Sequence, residues 1–401
     1  MRLAVLGGSF NPIHMGHLFL ADSVISGLGY DRVVMVPAYR SPFKPEAAGM
    51  EGSTRSRMEM IAASIAGDPR LTLDDCEIRR GGVSYTVDTL ADIVRRYAPD
   101  GKPGFVIGDD LVDDFPDWHR SRDILDMADI IVARRVNSGE RKIPYPCIRI
   151  SNDVMDISSG MVRERVGKNG AWRYLVPAAA RTLMEQRGLY GLDPRSPESG
   201  GFEGRWPGGK AASNVLVRVE EAARESLGFD RFLHSRNTAL LAWDLCRRFS
   251  LNPEHGYLAG IAHDLAKPLN DRTQINLAKS YGKAFSQIEK EKPSLLHGKA
   301  SAVLLKEHFG VHNEAILEAI AMHTWGGKHM GPLAKVLYIA DKMEVAREKT
   351  DPALRKLVSS GNRLDGIFVA VLERTVSSIR SKMLKLSEET LGLLEELKAR
   401  N

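Results

Sequence analysis

The chain has 401 residues, 43% of them hydrophobic and 27% charged, a net charge of +5 and a pI near 9.0. That length predicts two or three domains, each with its own core, and a positive balance that suits anionic substrates but is too dilute to point to nucleic acid. No apolar run is long enough for a membrane partner, Met1-Arg2-Leu3 leads into a strand rather than a signal peptide, and Cys76, Cys147 and Cys246 form no CxxC pair or disulfide framework, so a cytoplasmic location is expected.

Leu3 to Leu6 reads as a short buried strand, and Gly7-Gly8-Ser9 ends it with a turn whose backbone can approach a ligand closely. Phe10 to His17 follows, and then Leu18, Ala21, Val24 and Ile25 repeat at helical spacing. A glycine turn before a helix N-terminus favours a polyphosphate, to which His14 and His17 could donate hydrogen bonds. Metal ligation and plain capping are the rival readings; no nearby carboxylate or cysteine completes a ligand set.

Val33–Val36, Leu71–Leu73, Phe105–Ile107 and Ile130–Ala133 are further strands, and Arg55–Ala66 and Thr86–Tyr97 are helices among them. The alternation predicts an α/β, doubly wound parallel sheet with its ligand at the carboxyl ends of the strands. The loops at those ends carry the remaining candidates. Lys44, in the proline-stiffened Pro37–Pro45 loop, is either a phosphate contact or a solubilising charge. In Gly82-Val-Ser84-Tyr85-Thr86, Thr86 reads first as the N-cap of the following helix. Gly108-Asp109-Asp110, followed by Trp118-His119, is a turn or a grip on ribose or base. Asp156-Ile-Ser158-Ser159-Gly-Met-Val-Arg163 opens a helix whose hydroxyls and guanidinium suit a second grip on a triphosphate.

Taken together, GGSFNPIHMGH, VPAYRSPFKP, SYTVDT, GDDL, ISSGMVR, and Tyr174-Leu-Val-Pro before a final helix ending in RGLY resemble the bacterial nicotinate-nucleotide adenylyltransferases (NadD type). The likeness runs from Met1 to about Tyr190. It implies transfer of AMP from ATP, with Mg²⁺, to nicotinate mononucleotide, releasing pyrophosphate and forming deamido-NAD. It assigns catalysis to His14, His17 and Arg163, and ATP contacts to these three and to Gly7, Gly8, Ser9, Phe10, Lys44, Gly108, Asp110, Ser158 and Ser159. Ser84, Tyr85, Thr86 and Trp118 would hold the nicotinate nucleotide. The family pattern has a threonine where Gly160 stands and often an aspartate where Asn11 stands. The rival readings are adenylylation of nicotinamide mononucleotide and use of another acceptor, such as pantetheine phosphate.

Gly191 to about Asn214 is rich in glycine, proline and serine and reads as a flexible linker, with Phe202 and Trp206 able to dock on a neighbouring surface. The expected domains are residues 1–190 and 214–401, joined by 191–213. Helical spacing alone follows: Val215–Leu227, His234–Phe249, His255–Ala266, Gln274–Ser280, His297–Phe309, Glu314–His323, Leu333–Lys349, Pro352–Val358 and Leu364–Leu397. Within this all-α bundle His234, His263-Asp264, His297, His323 and Asp341 offer imidazoles and carboxylates suited to a first-row metal.

The adjacent His263-Asp264 is the signature of the HD phosphohydrolases, and RFLHSRNTA, AGIAHDLAK, LLHGKASAVLL, AMHTWG and KVLYIADKME are similar to the YqeK-type branch. That resemblance implies two metal ions, typically iron, and symmetrical hydrolysis of a dinucleoside polyphosphate, diadenosine tetraphosphate, to ADP. One ion would take His234, His263, Asp264 and Asp341; the other would take His297, His323 and a bridging Asp264. Lys267 would reach substrate phosphate or remain a solvated charge. Hydrolysis of another nucleotide and a metal-stabilised regulatory or dimerisation module are the alternatives, and homodimer formation is left open.

Overall fold

A computed structural model describes residues 1–40, 53–134, 143–192, 215–327, 329–347, 351–382, 386, 387, 390 and 392–394. Lys44, all but the first residues of the expected linker, including Phe202 and Trp206, and most of the last predicted helix beyond Lys382 lie outside the described residues. The chain divides into two compact units, Met1–Glu203 and Gly204–Asn401.

In the first unit the apolar runs become β1 (Leu3–Gly8), β2 (Arg32–Pro37), β3 (Leu71–Leu73), β4 (Gly104–Gly108) and β5 (Asp129–Ala133), and β6 (Ile148–Ile150) joins them. All pair in parallel, in the order β3-β2-β1-β4-β5-β6. Parallel neighbours need crossovers. These carry α1 (Met15–Leu28), α2 (Thr54–Ser64), α3 (Cys76–Arg80), α4 (Thr86–Tyr97) and α5 (Ser121–Met127), and α6 (Ser159–Gly167) and α7 (Ala178–Gln186) follow the sheet. Every residue of β2 is buried, as expected of a strand covered on both faces. The direction of winding reverses between β1 and β4, so Gly7-Gly8 and Gly108 end the two strands that flank the crevice where such sheets bind ligands.

Three expectations need correction here, and one strand went unread. α1 begins at Met15, which places His17 inside its first turn. Thr86 is the first helical residue of α4 and not its cap; Tyr85 holds that position without a side-chain capping bond. α7 ends at Gln186, and Gly188 at φ 60° turns the chain before Tyr190. β6 was not anticipated, because a three-residue edge strand with two exposed positions shows no apolar run.

The second unit contains helices α8 (Val215–Ser226), α9 (Phe229–Arg248), α10 (Pro253–Ala262), α11 (Asp271–Ser280), α12 (Gln287–Glu291), α13 (His297–Phe309), α14 (Glu314–Met322), α15 (Pro332–Met343), α16 (Pro352–Ser360) and α17 (Leu364–Ser381). Asparagines start three of them: the Oδ1 atoms of Asn252, Asn270 and Asn313 accept backbone N–H groups at the N-termini of α10, α11 and α14. α10 stops at Ala262, short of the predicted Ala266, so His263-Asp264 stands just past a helix end. Inside the bundle, Arg236 donates from Nε to Glu220 Oε1 at 3.1 Å, and Tyr257 donates to Glu220 Oε2 at 2.8 Å, all three buried. That network ties α8, α9 and α10 together.

Candidate active sites

In the first unit the loop from Ser9 to His14 is held from several sides. Arg57 of α2, buried, donates from Nη1 to the carbonyls of Ser9 at 2.7 Å and Ala38 at 2.8 Å, and burial lowers its pKa from the ordinary guanidinium value. From α6, Ser159 Oγ donates to the Pro12 carbonyl at 2.8 Å and Arg163 Nη1 to the Asn11 carbonyl at 2.6 Å. Tyr190 donates to Asn11 Oδ1 at 2.6 Å. Ser158 caps α6 by accepting the Met161 N–H at 3.1 Å.

This frame sets the two histidines. His14 is the N-cap residue of α1, and its backbone N–H donates to His17 Nδ1 at 3.2 Å. Accepting there leaves the proton of a neutral His17 on Nε2, a donor suited to a phosphate oxygen. The two rings lie 3.6 Å apart, and Phe10, at φ 45°, places its ring 4.7 Å from His17. A side chain at Gly16 would put its Cβ 3.1 Å from His14 Nδ1, so glycine is what lets α1 start so close to that ring. His14, His17, Asn152, Met155 and Ser158 help line one cavity of about 150 Å³.

The other predicted residues have contacts of their own. Ser84 Oγ accepts the Tyr39 N–H at 3.0 Å, and the Tyr85 ring lies 4.3 Å from that of His119. Trp118 packs on Phe115 at 5.3 Å and edge-on to Phe105 at 6.2 Å. Asp110 is exposed, while its neighbour Asp109 is buried. Arg57 escaped the sequence reading, since an arginine amid Arg55, Ser56 and Glu59 looks like a solvated helix face.

In the second unit all six predicted ligands converge. His263 follows the last residue of α10, His297 begins α13 and His323 follows the last residue of α14, and each ring hydrogen-bonds the carbonyl three residues earlier: Gly260 at 2.7 Å, Ser294 at 2.8 Å and Ile320 at 2.7 Å. A carbonyl only accepts, so each Nδ1 carries the proton and each Nε2 presents a lone pair inward. Gly298 permits the crowding, since a Cβ there would meet the Ile320 carbonyl oxygen at 2.9 Å and His323 Nδ1 at 3.2 Å.

The Nε2 atom of His234 lies 3.2 Å from Asp341 Oδ1, and that of His263 lies 3.9 Å from the same oxygen and 3.7 Å from Asp264 Oδ2. Across the cluster, His297 Nε2 is 3.2 Å from Asp264 Oδ1 and 3.2 Å from His323 Nε2. His234-His263-Asp341 and His263-Asp264-His323 each bring three donor atoms within 4.8 Å of one another, so His263 faces both groups. Burial would raise the Asp264 carboxyl, but positive charge on His263 and His297, when those rings are protonated, holds it well below the usual range. For Asp341, Lys342 and His234 outweigh burial in the same direction. Buried His263 Nε2 has no hydrogen-bond partner among the described residues, and an inward lone pair beside two carboxylates fits a divalent cation. Lys267 lies beyond α10, with Nζ 3.2 Å from His297 Nδ1; burial lowers its pKa. Glu344, which the sequence reading missed, sits with Oε1 3.4 Å from His234 Nδ1.

Fold and sites thus define a parallel α/β sheet of the nucleotidylyltransferase type followed by an all-α, metal-binding HD bundle. Residues 5–165 match the family described as cytidylyltransferase-like, and residues 231–346 match the HD domain. A "Probable nicotinate-nucleotide adenylyltransferase" of Treponema pallidum (strain Nichols) is 37% identical over 204 residues, 47% of this chain and 99% of that protein. One of the same printed name from Streptococcus mutans serotype c is 35% identical over 189 residues, 47% of this chain and 88% of that protein. The chain belongs, through this stretch, to the nicotinate-nucleotide adenylyltransferase family. Among solved structures, a "predicted HD superfamily hydrolase involved in NAD metabolism" from Clostridium acetobutylicum is 28% identical, with a TM-score of 0.43, over 46% of this chain and 97% of that one.

Proposed function

We propose that the first unit adenylylates nicotinate mononucleotide, and that the second hydrolyses diadenosine tetraphosphate symmetrically to two ADP. The observation that carries the first reading is the His14–His17 pair at the start of α1, fixed beside the β1 turn by Arg57, Ser159 and Arg163. A phosphate oxygen of the mononucleotide attacks the α-phosphorus of ATP, a P–O–P bridge to the adenylyl group forms, and the bond to the β-phosphate breaks as pyrophosphate departs. The attacking oxygen is already anionic, so no general base is needed. His17 Nε2–H, the first-turn N–H groups of α1 and Arg163 stabilise charge on the ATP phosphates, which arrive with Mg²⁺ as part of the substrate.

In the second unit His234, His263, Asp264, His297, His323 and Asp341 would hold two first-row cations, iron foremost, whose Lewis acidity would polarise a phosphoryl group and activate water. The backbone-anchored histidines fix the donor geometry, Asp264 faces both sides of the cluster, and Lys267 would contact a substrate phosphate. Mass spectrometry of products from the intact chain tests both readings. ATP with nicotinate mononucleotide should yield deamido-NAD, and diadenosine tetraphosphate should yield ADP once iron or manganese is added. Preference for nicotinamide mononucleotide would overturn the acceptor, and metal uptake without turnover of any nucleotide would make the helical unit a regulatory module.

A further inference from the structure

Among the described residues, Arg231, Arg347, Lys342 and Lys267 all contact the metal-ligand cluster. Arg231 Nη1 lies 2.9 Å from Asp264 Oδ2, the oxygen 3.7 Å from His263 Nε2. Arg347 Nη2 lies 3.3 Å from Asp341 Oδ1, the oxygen nearest His234 and His263. Both guanidiniums therefore sit on the two carboxylate oxygens that face His263 Nε2, in a pocket to which His234 also contributes. Lys342 pairs with the other oxygen of Asp341, and Lys267 stands on the far side against His297. Exposure separates the partners. The Arg231 and Arg347 side chains are 46% and 48% exposed, whereas those of Asp264 and Asp341 are 4% and 8% exposed.

A guanidinium and a divalent cation compete for the same carboxylate oxygen, and the doubly charged ion, held also by two imidazoles, has the stronger claim. We propose that Arg231 and Arg347 are exchangeable arms of this pocket: they neutralise Asp264 and Asp341 while it holds no cation, and turn to the substrate's phosphates once a cation is seated. Half-exposed arginines at a pocket mouth have room for that movement, and their planar forks match phosphate oxygens. Cation and phosphate then bind cooperatively, because the first frees the donors that the second uses. This inference rests on the cluster being a metal centre. It makes a phosphate ester or polyphosphate the anion admitted there.

The test uses the full chain, Mn²⁺ and inorganic phosphate. Calorimetry measures Mn²⁺ uptake, and phosphorus NMR relaxation measures phosphate near bound Mn²⁺, with His263→Ala as the blank for the pocket. Arg231→Gln and Arg347→Gln should bind Mn²⁺ at least as tightly as the parent chain, while phosphate affinity falls about tenfold or more. Arg→Lys at either position should keep part of the phosphate affinity, and it replaces the Gln variant if that one loses its helical circular dichroism. Unchanged phosphate affinity, Mn²⁺ affinity that falls with the arginine, or no Mn²⁺ uptake by the parent chain would overturn the proposal. The expected pattern without cleavage of diadenosine tetraphosphate would leave it standing and remove only the substrate reading above.

Discussion

Tyr190 donates its hydroxyl hydrogen to Asn11 Oδ1 at 2.6 Å, joining two residues 179 positions apart. The bond fastens the turn after α7 to the loop that sets His14 and His17. The amide oxygen accepts here as a carboxylate oxygen would. Tyr190→Phe should cost about 1 kcal/mol, or about 2–4 °C in Tm of the first unit. Steady-state kinetics should show a larger rise in KM for ATP than fall in kcat, since the loop loosens while its chemistry remains.

His17→Ala should lower adenylyl transfer about 10²-fold or more, by analogy with the loss of other fixed donors to a developing charge. Its far-ultraviolet circular dichroism should stay unchanged. Near-normal turnover in a folded variant would remove His17 from the proposed chemistry.

The buried Arg236–Glu220 pair predicts an asymmetry. Glu220→Ala removes a carboxylate from the buried Arg236 guanidinium and should cost about 3–5 kcal/mol in urea unfolding. Replacing both residues with methionine should recover most of that loss. Equal costs for the single and double variants would mean that packing, and not the remaining charge, dominates.

Chelation should lower the Tm of the helical unit, and Mn²⁺ should restore it in proportion to the logarithm of its concentration. Calorimetry should find the transition of the α/β unit unmoved. Asp264→Ala, which removes the carboxylate facing both sides of the cluster, should abolish the metal-dependent shift.

Thiol chemistry gives a check on the fold that needs no mutation. Burial, reinforced by Asp74, pushes the Cys76 thiol up, and burial raises Cys246 to about 12, whereas Cys147 is only half-buried. A raised thiol pKa means no thiolate near neutral pH, and the thiolate is the reactive form. Ellman's reagent should titrate Cys147 quickly and the other two only on unfolding, and Cys147→Ser should remove the fast phase.

The legible parts of this chain are those with local physical causes. Val33–Val36 is a continuous apolar run because β2 is covered on both faces, and Thr86–Tyr97 has the period of a helix with one buried side. The order of histidines and aspartates also survives in one dimension, and the bundle gathers those six residues. What escaped depends on partners distant in sequence. Glu220, Arg236 and Arg57 look like surface charges until the fold supplies their partners. The end of α10 was hidden because Leu265 and Ala266 are buried too, so the apolar spacing runs past the true terminus.

The carbonyls of Gly260, Ser294 and Ile320 give the second unit one more property. Turning any of these three rings would abandon a hydrogen bond to main chain that belongs to a helix end, so ring orientation is inherited from the secondary structure. The main chain thus orients these rings, whereas small domains that collapse around their metal depend on the ion for that geometry. Ion replacement becomes a matter of exchange kinetics and supply in the surrounding medium, with the backbone left in place.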